Sequence, residues 1–231
     1  MDYLNTLFFG VYPYIALTVL ILGSLIRYDR EQYTWKASSS QLLEKQQLRR
    51  GSIPFHIGIL GIFLGHFVGL LTPHQVWDFL GITPGFKQVV AIVAGGLFGI
   101  ICLYGLVILL NRRLNNPRVR ASSTTMDILI LVILLAQLVL GLASIFVSLG
   151  HLDGSEMLRL MAWAQNIVTL DPAEAVANIA GANPIFKLHI TLGLTLFVLF
   201  PFSRLVHMLS VPLKYFSRNY QVVRVKDSRQ V

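Results

Sequence analysis

Five stretches of roughly twenty mainly apolar residues alternate with shorter polar segments along the chain. A stretch of that length crosses a bilayer as an α-helix, because each residue advances the helix by about 1.5 Å. The pattern therefore predicts an all-α membrane protein with five transmembrane helices in a bundle. The predicted spans are residues 7–26, 53–71, 89–110, 128–150 and 185–209.

Turn and cap residues predict where some of these helices begin and end. Ser52 and Pro54 mark the expected start of the second span, while Asn183 and Pro184 supply an N-cap and a first-turn proline for the fifth. Pro201 should kink the fifth helix or end its regular part early. Between the fourth and fifth spans, apolar residues at helical spacing predict a short interfacial helix within residues 151–181.

The composition agrees with a membrane protein. Of 231 residues, 55% are hydrophobic and 13% are charged, which is too apolar and too charge-poor for an ordinary soluble domain. We expect one integral membrane domain over residues 1–231, with a basic tail from about residue 211. The first span should stay attached, because no basic region precedes it and no cleavage signal follows it. The single cysteine, Cys102, permits neither a disulfide framework nor a cysteine metal cluster.

The net charge of +8 is distributed over alternate loops rather than over one soluble face, which argues against nucleic acid as a partner. By the positive-inside rule, this distribution predicts a periplasmic N-terminus and a cytoplasmic C-terminus. The basic residues of the predicted inner segments are Arg27, Arg30, Lys36, Lys45, Arg49, Arg50, Arg112, Arg113, Arg118, Arg120, Arg204, Lys214, Arg218, Arg224, Lys226 and Arg229. Those of the outer segments are Lys87, Arg159 and Lys187.

Four histidines lie inside the apolar runs: His56 and His66 in FHIGILGIFLGH, and His189 and His207 in the fifth span. An imidazole without a partner is costly in hydrocarbon, so a membrane histidine usually has a structural or functional partner. On ideal helices His56 and His66 are about 15 Å apart along the axis, and His189 and His207 are about 27 Å apart. Because the two spans run in opposite directions, His56 and His207 lie near the cytoplasmic face, and His66 and His189 lie further out.

Two histidines are too few for a structural zinc site, whereas haem brings four equatorial nitrogens of its own. If each pair holds one metal, the mean of the two axial gaps separates the metals by about 21 Å, which suits two stacked macrocycles. The sequence therefore predicts two haem b groups, each with two axial histidines. The alternative for any one histidine is a hydrogen-bonded structural role. His74 and His151 lie outside the apolar runs and are interpreted as surface residues.

Glycines and cations near the histidines each allow two interpretations. The glycines of the second span could leave room for a flat macrocycle or could form a small-residue contact with another helix. Arg112 and Arg204 lie at a suitable depth to bind haem propionates, or they are ordinary positive-inside residues. Lys87 could hydrogen-bond a quinone carbonyl, or it could extend to the headgroups.

Several stretches resemble one known family, the cytochrome b (gamma) subunit of membrane-bound respiratory nitrate reductase, over nearly the whole chain. They are YDREQYTWKASSSQ, FHIGILGIFLGHFVGLLTPH, NPRVRASSTTMDILIL, HLDGSEMLRLMAWAQ and LFPFSRLVHMLSVP. The resemblance implies five transmembrane helices in the bacterial cytoplasmic (inner) membrane. It also implies two b haems with the same ligand pairs, His56 with His207 and His66 with His189.

The resemblance further implies a function. Menaquinol or ubiquinol would bind beside the outer haem and release protons outside. The electrons would pass inward to an iron-sulfur beta subunit and then to a molybdenum-cofactor alpha subunit that reduces nitrate, which contributes to the proton-motive force. Lys87 matches the position of the family's quinol-site lysine, with Gly65 and His66 nearby. No residue of this chain is expected to act on nitrate, because that chemistry belongs to a partner's cofactor.

Two other functions remain open from the residues alone. The chain could be the cytochrome b subunit of a formate dehydrogenase, a hydrogenase or a sulfur-compound oxidoreductase, in which four histidines would serve the same purpose. It could also be a haem-free anchor or transporter whose histidines line a polar path. The last alternative predicts no visible absorption from the purified protein.

Overall fold

The computed structural model of this chain describes residues 2–37, 40 and 42–210, and the predicted basic tail lies outside them. The described residues form ten α-helices joined by short connections and by 3₁₀ or π turns. The helices are α1 (Asp2–Asn5), α2 (Tyr12–Arg30), α3 (Lys45–Leu71), α4 (His74–Phe79), α5 (Pro84–Asn115), α6 (Pro117–Ala121), α7 (Thr125–Leu149), α8 (Ser155–Val168), α9 (Pro172–Ala180) and α10 (Pro184–Leu199).

Five helical segments among the described residues are long and apolar enough to cross a membrane, which confirms the predicted all-α fold with five spans. Much of their apolar surface is exposed, as expected where lipid rather than protein covers it. The chain is thus a multi-pass membrane protein. The five segments are Tyr3–Arg30, Lys45–Leu71, Pro84–Asn115, Thr125–Leu149 and Pro184–Phe202.

The predicted start of the second span at Ser52 and Pro54 is wrong. Helix α3 already begins at Lys45, and Pro54 lies inside it. The first turns of α3 carry Lys45, Arg49 and Arg50, whose charges suit the headgroup region. Because these residues are not apolar, the apolar run in the sequence begins later than the helix does. The start of the fifth span is confirmed, because the Asn183 side chain accepts a hydrogen bond from the amide of Ile185.

The fifth span is interrupted, as Pro201 predicts. Helix α10 ends at Leu199, and two 3₁₀ turns follow, Phe200–Phe202 and Arg204–Leu209. Between them Ser203 is extended, with φ −118° and ψ −179°. The premise of one continuous α-helix from His189 to His207, on which the separation of about 27 Å and the metal spacing of about 21 Å are built, therefore does not hold, and the spacing itself stays a prediction. A 3₁₀ turn and an extended residue do not follow the α-helical axis.

The long helices pack in the order α3, α5, α7, α10 and α2, and their most extensive mutual contact is between α3 and α5. Glycines allow α3 to approach α5 closely: a Cβ on Gly58 would lie 2.5 Å from the amide nitrogen of Cys102. Helix α10 packs mainly on α7 and α2. The two histidine-bearing segments are thus linked through α5 and α7.

A core at one end of the bundle surrounds α8 and α9. Phe9, Trp163, Ile167 and Ile179 are among its buried members, with Leu70 and Leu71 packed against it. Helix α8 (Ser155–Val168) confirms that this segment contains a helix, whose interfacial location stays a prediction, whereas α9 was not predicted. This core holds the beginning of the chain, the end of α3 and the loop before α10 together, and so sets the positions of the helices that carry the histidines.

Candidate functional site

The inner pair, His56 and His207, brings α3 beside the last 3₁₀ turn of the described chain. The two imidazole centroids are 6.3 Å apart, with ring planes at 70°. His56 Nδ1 donates to the carbonyl of Ser52 at 2.7 Å, and His207 Nδ1 donates to the carbonyl of Arg204 at 2.5 Å. Both bonds leave Nε2, the other ring nitrogen, with its lone pair.

The outer pair, His66 and His189, joins α3 to α10. The centroids are 6.1 Å apart, and the rings are tilted by 33°. His66 Nδ1 donates to the carbonyl of Ile62 at 2.9 Å. His189 differs from the other three, because its Nδ1 is buried with no hydrogen-bond partner among the described residues and its Nε2 lies 3.3 Å from Nε2 of Gln137.

The geometry of both pairs fits a metal held between two imidazoles. A metal about 2.0 Å from each coordinating nitrogen would place the two ring centroids roughly 6 Å apart. An Nδ1–H bonded to a carbonyl fixes the tautomer and orients Nε2 as the ligand, which is typical of metal-bound histidines. Three of the four histidines have this arrangement.

The described protein side chains alone would not complete a metal site at either pair. Over the described ranges, no group of three or more His, Cys, Asp and Glu side chains could hold a metal ion. Cys102 is buried between α3 and α5 and belongs to neither pair. Two imidazoles with no further protein ligand would suit haem, which supplies four nitrogen ligands of its own.

The glycines of α3 divide into two groups. A Cβ on Gly58 or Gly61 would overlap α5, so these positions form a helix–helix contact. A Cβ on Gly65 or Gly69 would meet no atom of the described residues within 4 Å. The small-residue contact is therefore confirmed for Gly58 and Gly61, while room for a macrocycle stays a prediction for the open surface beside His66.

The two predicted propionate ligands have protein partners in the structure. Arg112 is 2% exposed, and its guanidinium donates to Ser40 Oγ at 2.8 Å and to the carbonyls of Ser40 and Glu44. Arg204 is bound to Asp127, with Nη2 2.7 Å from Oδ1. Both arginines lie toward the helix ends expected at the inner face, as the charge pattern predicts.

Lys87 lies in a closed setting near the end of α3. Its Nζ donates to the carbonyl of Gly69 at 2.8 Å, contacts Met161 Sδ at 2.8 Å and lies 4.5 Å from the centroid of the Trp77 ring. Gly69 is three residues beyond His66, roughly one helical turn. Lys87 therefore does not extend freely to solvent, and only 9% of it is exposed.

The two remaining histidines are surface residues. His74 Nδ1 lies 2.6 Å from Asp78 Oδ2 on the adjacent turn of α4, and its side chain is 40% exposed. His151 is exposed and donates from Nδ1 to the carbonyl of Val147 at 3.1 Å. Neither ring forms part of the two pairs.

Several polar residues around the pairs were missed by the sequence analysis. Arg27 donates to the carbonyls of Pro201 and Ser203, Gln137 contacts His189, and Asp127 binds two arginines. Asp127 carried a readable signal, since TTMD before an apolar run is a capping-box pattern. Arg27 and Gln137 have no local motif, because their partners are far away in the sequence.

Known proteins resemble this chain over nearly its full length. A model of the family described as "Nitrate reductase gamma subunit" matches residues 5–226. "Respiratory nitrate reductase 1 gamma chain" of Escherichia coli (strain K12) is 52% identical over 226 residues, which cover 98% of this chain and 100% of that protein. "Nitrate reductase gamma chain" of Bacillus subtilis (strain 168) is 41% identical over 219 residues, covering 94% of this chain and 97% of that protein.

Proposed function

Because the chain belongs to the nitrate reductase gamma-subunit family, we propose that it is the quinol-oxidising, dihaem cytochrome b subunit of a membrane-bound nitrate reductase. One observation carries the proposal most directly: two imidazole pairs with centroids 6.1 and 6.3 Å apart span the gap between α3 and the fifth span. Bound there, two b haems would supply one-electron redox centres.

The chain's own residues hold and orient these groups. His56 and His207 are the proposed axial ligands of the inner haem, and His66 and His189 those of the outer haem. The carbonyls of Ser52, Ile62 and Arg204 fix three of the imidazoles through Nδ1. Arg112 and Arg204 are the proposed propionate ligands: both already bind protein oxygens, and Arg112 Nε is a buried donor with no hydrogen-bond partner among the described residues.

Quinol is proposed to bind near His66, where Gly65 leaves open space and where Lys87, on α5, binds the carbonyl of Gly69 about one turn beyond His66. The Lys87 ammonium would donate a hydrogen bond to a quinol oxygen, for which it has to release the carbonyl of Gly69 or Met161. The open face beside Gly65 would accept a flat ring.

The direction of transfer follows from the proposed orientation. Basic residues at the ends of α2, α3 and α5 support a cytoplasmic location for the inner pair and a periplasmic N-terminus. The proposed partners are an iron-sulfur beta subunit and a molybdenum-cofactor alpha subunit on the cytoplasmic side of the inner membrane. Proton release outside, with electrons moving inward, would store about 2.3 kcal/mol per charge per 100 mV.

The test is a reduced-minus-oxidised visible spectrum with pyridine haemochrome quantitation on the purified complex. Two b haems per chain, reduced by added quinol and reoxidised by nitrate, are the expected result. A folded complex without haem would leave the histidines as polar groups of a transport path. Haem that quinol reduces but nitrate does not reoxidise would point to another terminal acceptor.

A further inference from the structure

A buried carboxylate joins three parts of the chain beside the inner pair. Asp127, in the first turn of α7, is 8% exposed. Its Oδ1 accepts hydrogen bonds from Arg204 Nε at 2.8 Å and from Arg204 Nη2 at 2.7 Å. Its Oδ2 lies 3.4 Å from Nη1 of Arg113, near the end of α5. Asp127 thus connects α7, α5 and the 3₁₀ turn that carries His207.

The carboxylate is itself fixed by the start of α7. The Asp127 amide donates to Thr124 Oγ1 at 3.2 Å, and the Thr124 amide donates to Asp127 Oδ2 at 3.0 Å. This reciprocal pair is a capping box, which holds the side chain at a defined place on the helix end. Asp127 is therefore a rigid anchor for a guanidinium.

The anchored guanidinium belongs to the residue that orients His207. The Arg204 carbonyl accepts the hydrogen bond from His207 Nδ1, so the position of Arg204 sets the direction of that ring. A 3₁₀ turn following an extended residue has weak hydrogen bonds of its own and depends on outside contacts for its geometry. The other three pair histidines lie on regular helices and have no such dependence.

We propose that Asp127 is a positioning residue for the inner haem: through Arg204 it fixes the His207 imidazole, and its charge offsets the buried guanidinium of Arg113 and the partly buried one of Arg204. The inference rests on the proposed function. Replacing Asp127 with asparagine leaves the positive charges of Arg113 and Arg204 less compensated in a medium of low dielectric. Positive charge stabilises the more electron-rich state of a redox centre, so the midpoint potential of the inner haem should rise.

The experiment compares Asp127→Asn, Asp127→Glu and Glu156→Gln in the purified complex. Glu156 is the matched control, because it is equally buried at 8% exposure and pairs with Arg159 at 3.4 Å, but lies on α8. Redox titration and electron paramagnetic resonance measure the potential and ligand geometry of each haem separately. The outer haem serves as an internal reference in every sample.

We expect Asp127→Asn to raise the inner-haem potential and shift its resonance signal, or to remove that haem alone, while Asp127→Glu retains most of the wild-type behaviour. Glu156→Gln should leave the inner haem unchanged. An inner haem identical to wild type in Asp127→Asn would overturn the inference, as would equal changes at both haems. If Asp127→Asn yields no folded complex, Asp127→Glu decides: a small change at the inner haem alone supports the inference, and no change at the inner haem or equal changes at both haems overturn it. A wild-type complex without haem would instead refute the proposed function.

Discussion

The two histidine pairs hold their rings at nearly the same distance by different means. The outer pair lies on two regular helices, α3 and α10, and the side chain that contacts His189 is the neutral Gln137. The inner pair has one histidine on a 3₁₀ turn beyond Pro201, and charged groups surround that turn. The outer geometry therefore depends on helix packing, whereas the inner geometry depends on ion pairs and charge-assisted hydrogen bonds.

The inner pair shows how an interrupted helix can still hold His207 in a defined position. Arg27 donates from Nη1 to the carbonyls of Pro201 at 2.6 Å and Ser203 at 2.9 Å, which pairs backbone acceptors that the interruption leaves free. Asp127 secures the next residue, Arg204, from the other side. Two side chains thus replace the missing α-helical hydrogen bonds, and the inner pair should be the more sensitive to loss of charge.

Histidine replacements give the largest expected effect and test whether the pairs are independent. His66→Ala or His189→Ala should remove the outer haem and largely spare the inner one, because each haem has its own two ligands. His56→Ala or His207→Ala should do the reverse. Pyridine haemochrome quantitation and visible spectra of the complex measure the result. His74→Ala and His151→Ala are matched controls that should retain both haems, and intact haems in the pair variants would refute the pairing.

Arg27→Gln tests whether the inner region depends on charge. The variant loses charge-assisted bonds to two carbonyls of the interrupted span, and we expect the inner region to be destabilised by about 2–4 kcal/mol. On heating, the inner-haem absorbance should be lost well before that of the outer haem. Arg30→Ala, at an exposed position on the same helix, is the control. Simultaneous loss of both haems would mean that the two regions unfold as one unit.

Alanine substitutions at two glycines of α3 compare the surroundings of its two histidines: Gly58 lies near His56, and Gly65 lies near His66. A Cβ at Gly58 would lie 2.5 Å from the Cys102 amide nitrogen and 2.6 Å from the Phe98 carbonyl oxygen, whereas one at Gly65 would meet nothing within 4 Å. Gly58→Ala should lower stability by about 1–3 kcal/mol through overpacking. Gly65→Ala should leave thermal stability unchanged and alter only quinol binding or the outer-haem spectrum. Equal loss of stability in both variants would contradict the open surface beside His66.

Lys87→Ala should have the smallest effect and is confined to the outer region. Loss of a hydrogen bond from the ammonium should raise the apparent KM for quinol about tenfold, with both haems retained. Steady-state quinol oxidation by the complex measures it, and Arg159→Gln, at another outer cation, is the control. Unchanged quinol kinetics would exclude Lys87 from the site, and its contacts with Gly69, Met161 and Trp77 would then be structural.

The fold could be predicted from the sequence because apolar runs, prolines and helix-capping residues are local signals. Apolar runs gave the five spans, Pro201 gave the interruption, and Asn183 gave the start of α10. The start of α3 was wrong, because a helix can continue through charged residues beyond the apolar run. The predicted depths of the four histidines assign them to the same two pairs that lie side by side in the structure. That these pairs bind haem iron stays a prediction.

The supporting residues could not be predicted in the same way. Arg27 lies 174 positions from Pro201, and Gln137 lies 52 positions from His189. Such contacts depend on how helices pack, which single-chain periodicity does not reveal. The packing of Lys87 against Met161 and Trp77 is of the same kind, since it joins α5 to α8 and to the short helix α4.

The linkage of α3 to the fifth span also constrains biosynthesis. Each histidine pair takes one member from the second span and one from the fifth, so neither pair exists until residue 189 has been translated and the last span inserted. The inner pair also requires His207, which is translated 18 residues after His189. A chain that ends before Pro184 would have one histidine of each pair and therefore neither complete pair. A cofactor held by both histidines of a pair, as proposed above, could therefore bind only after the fifth span has been synthesised.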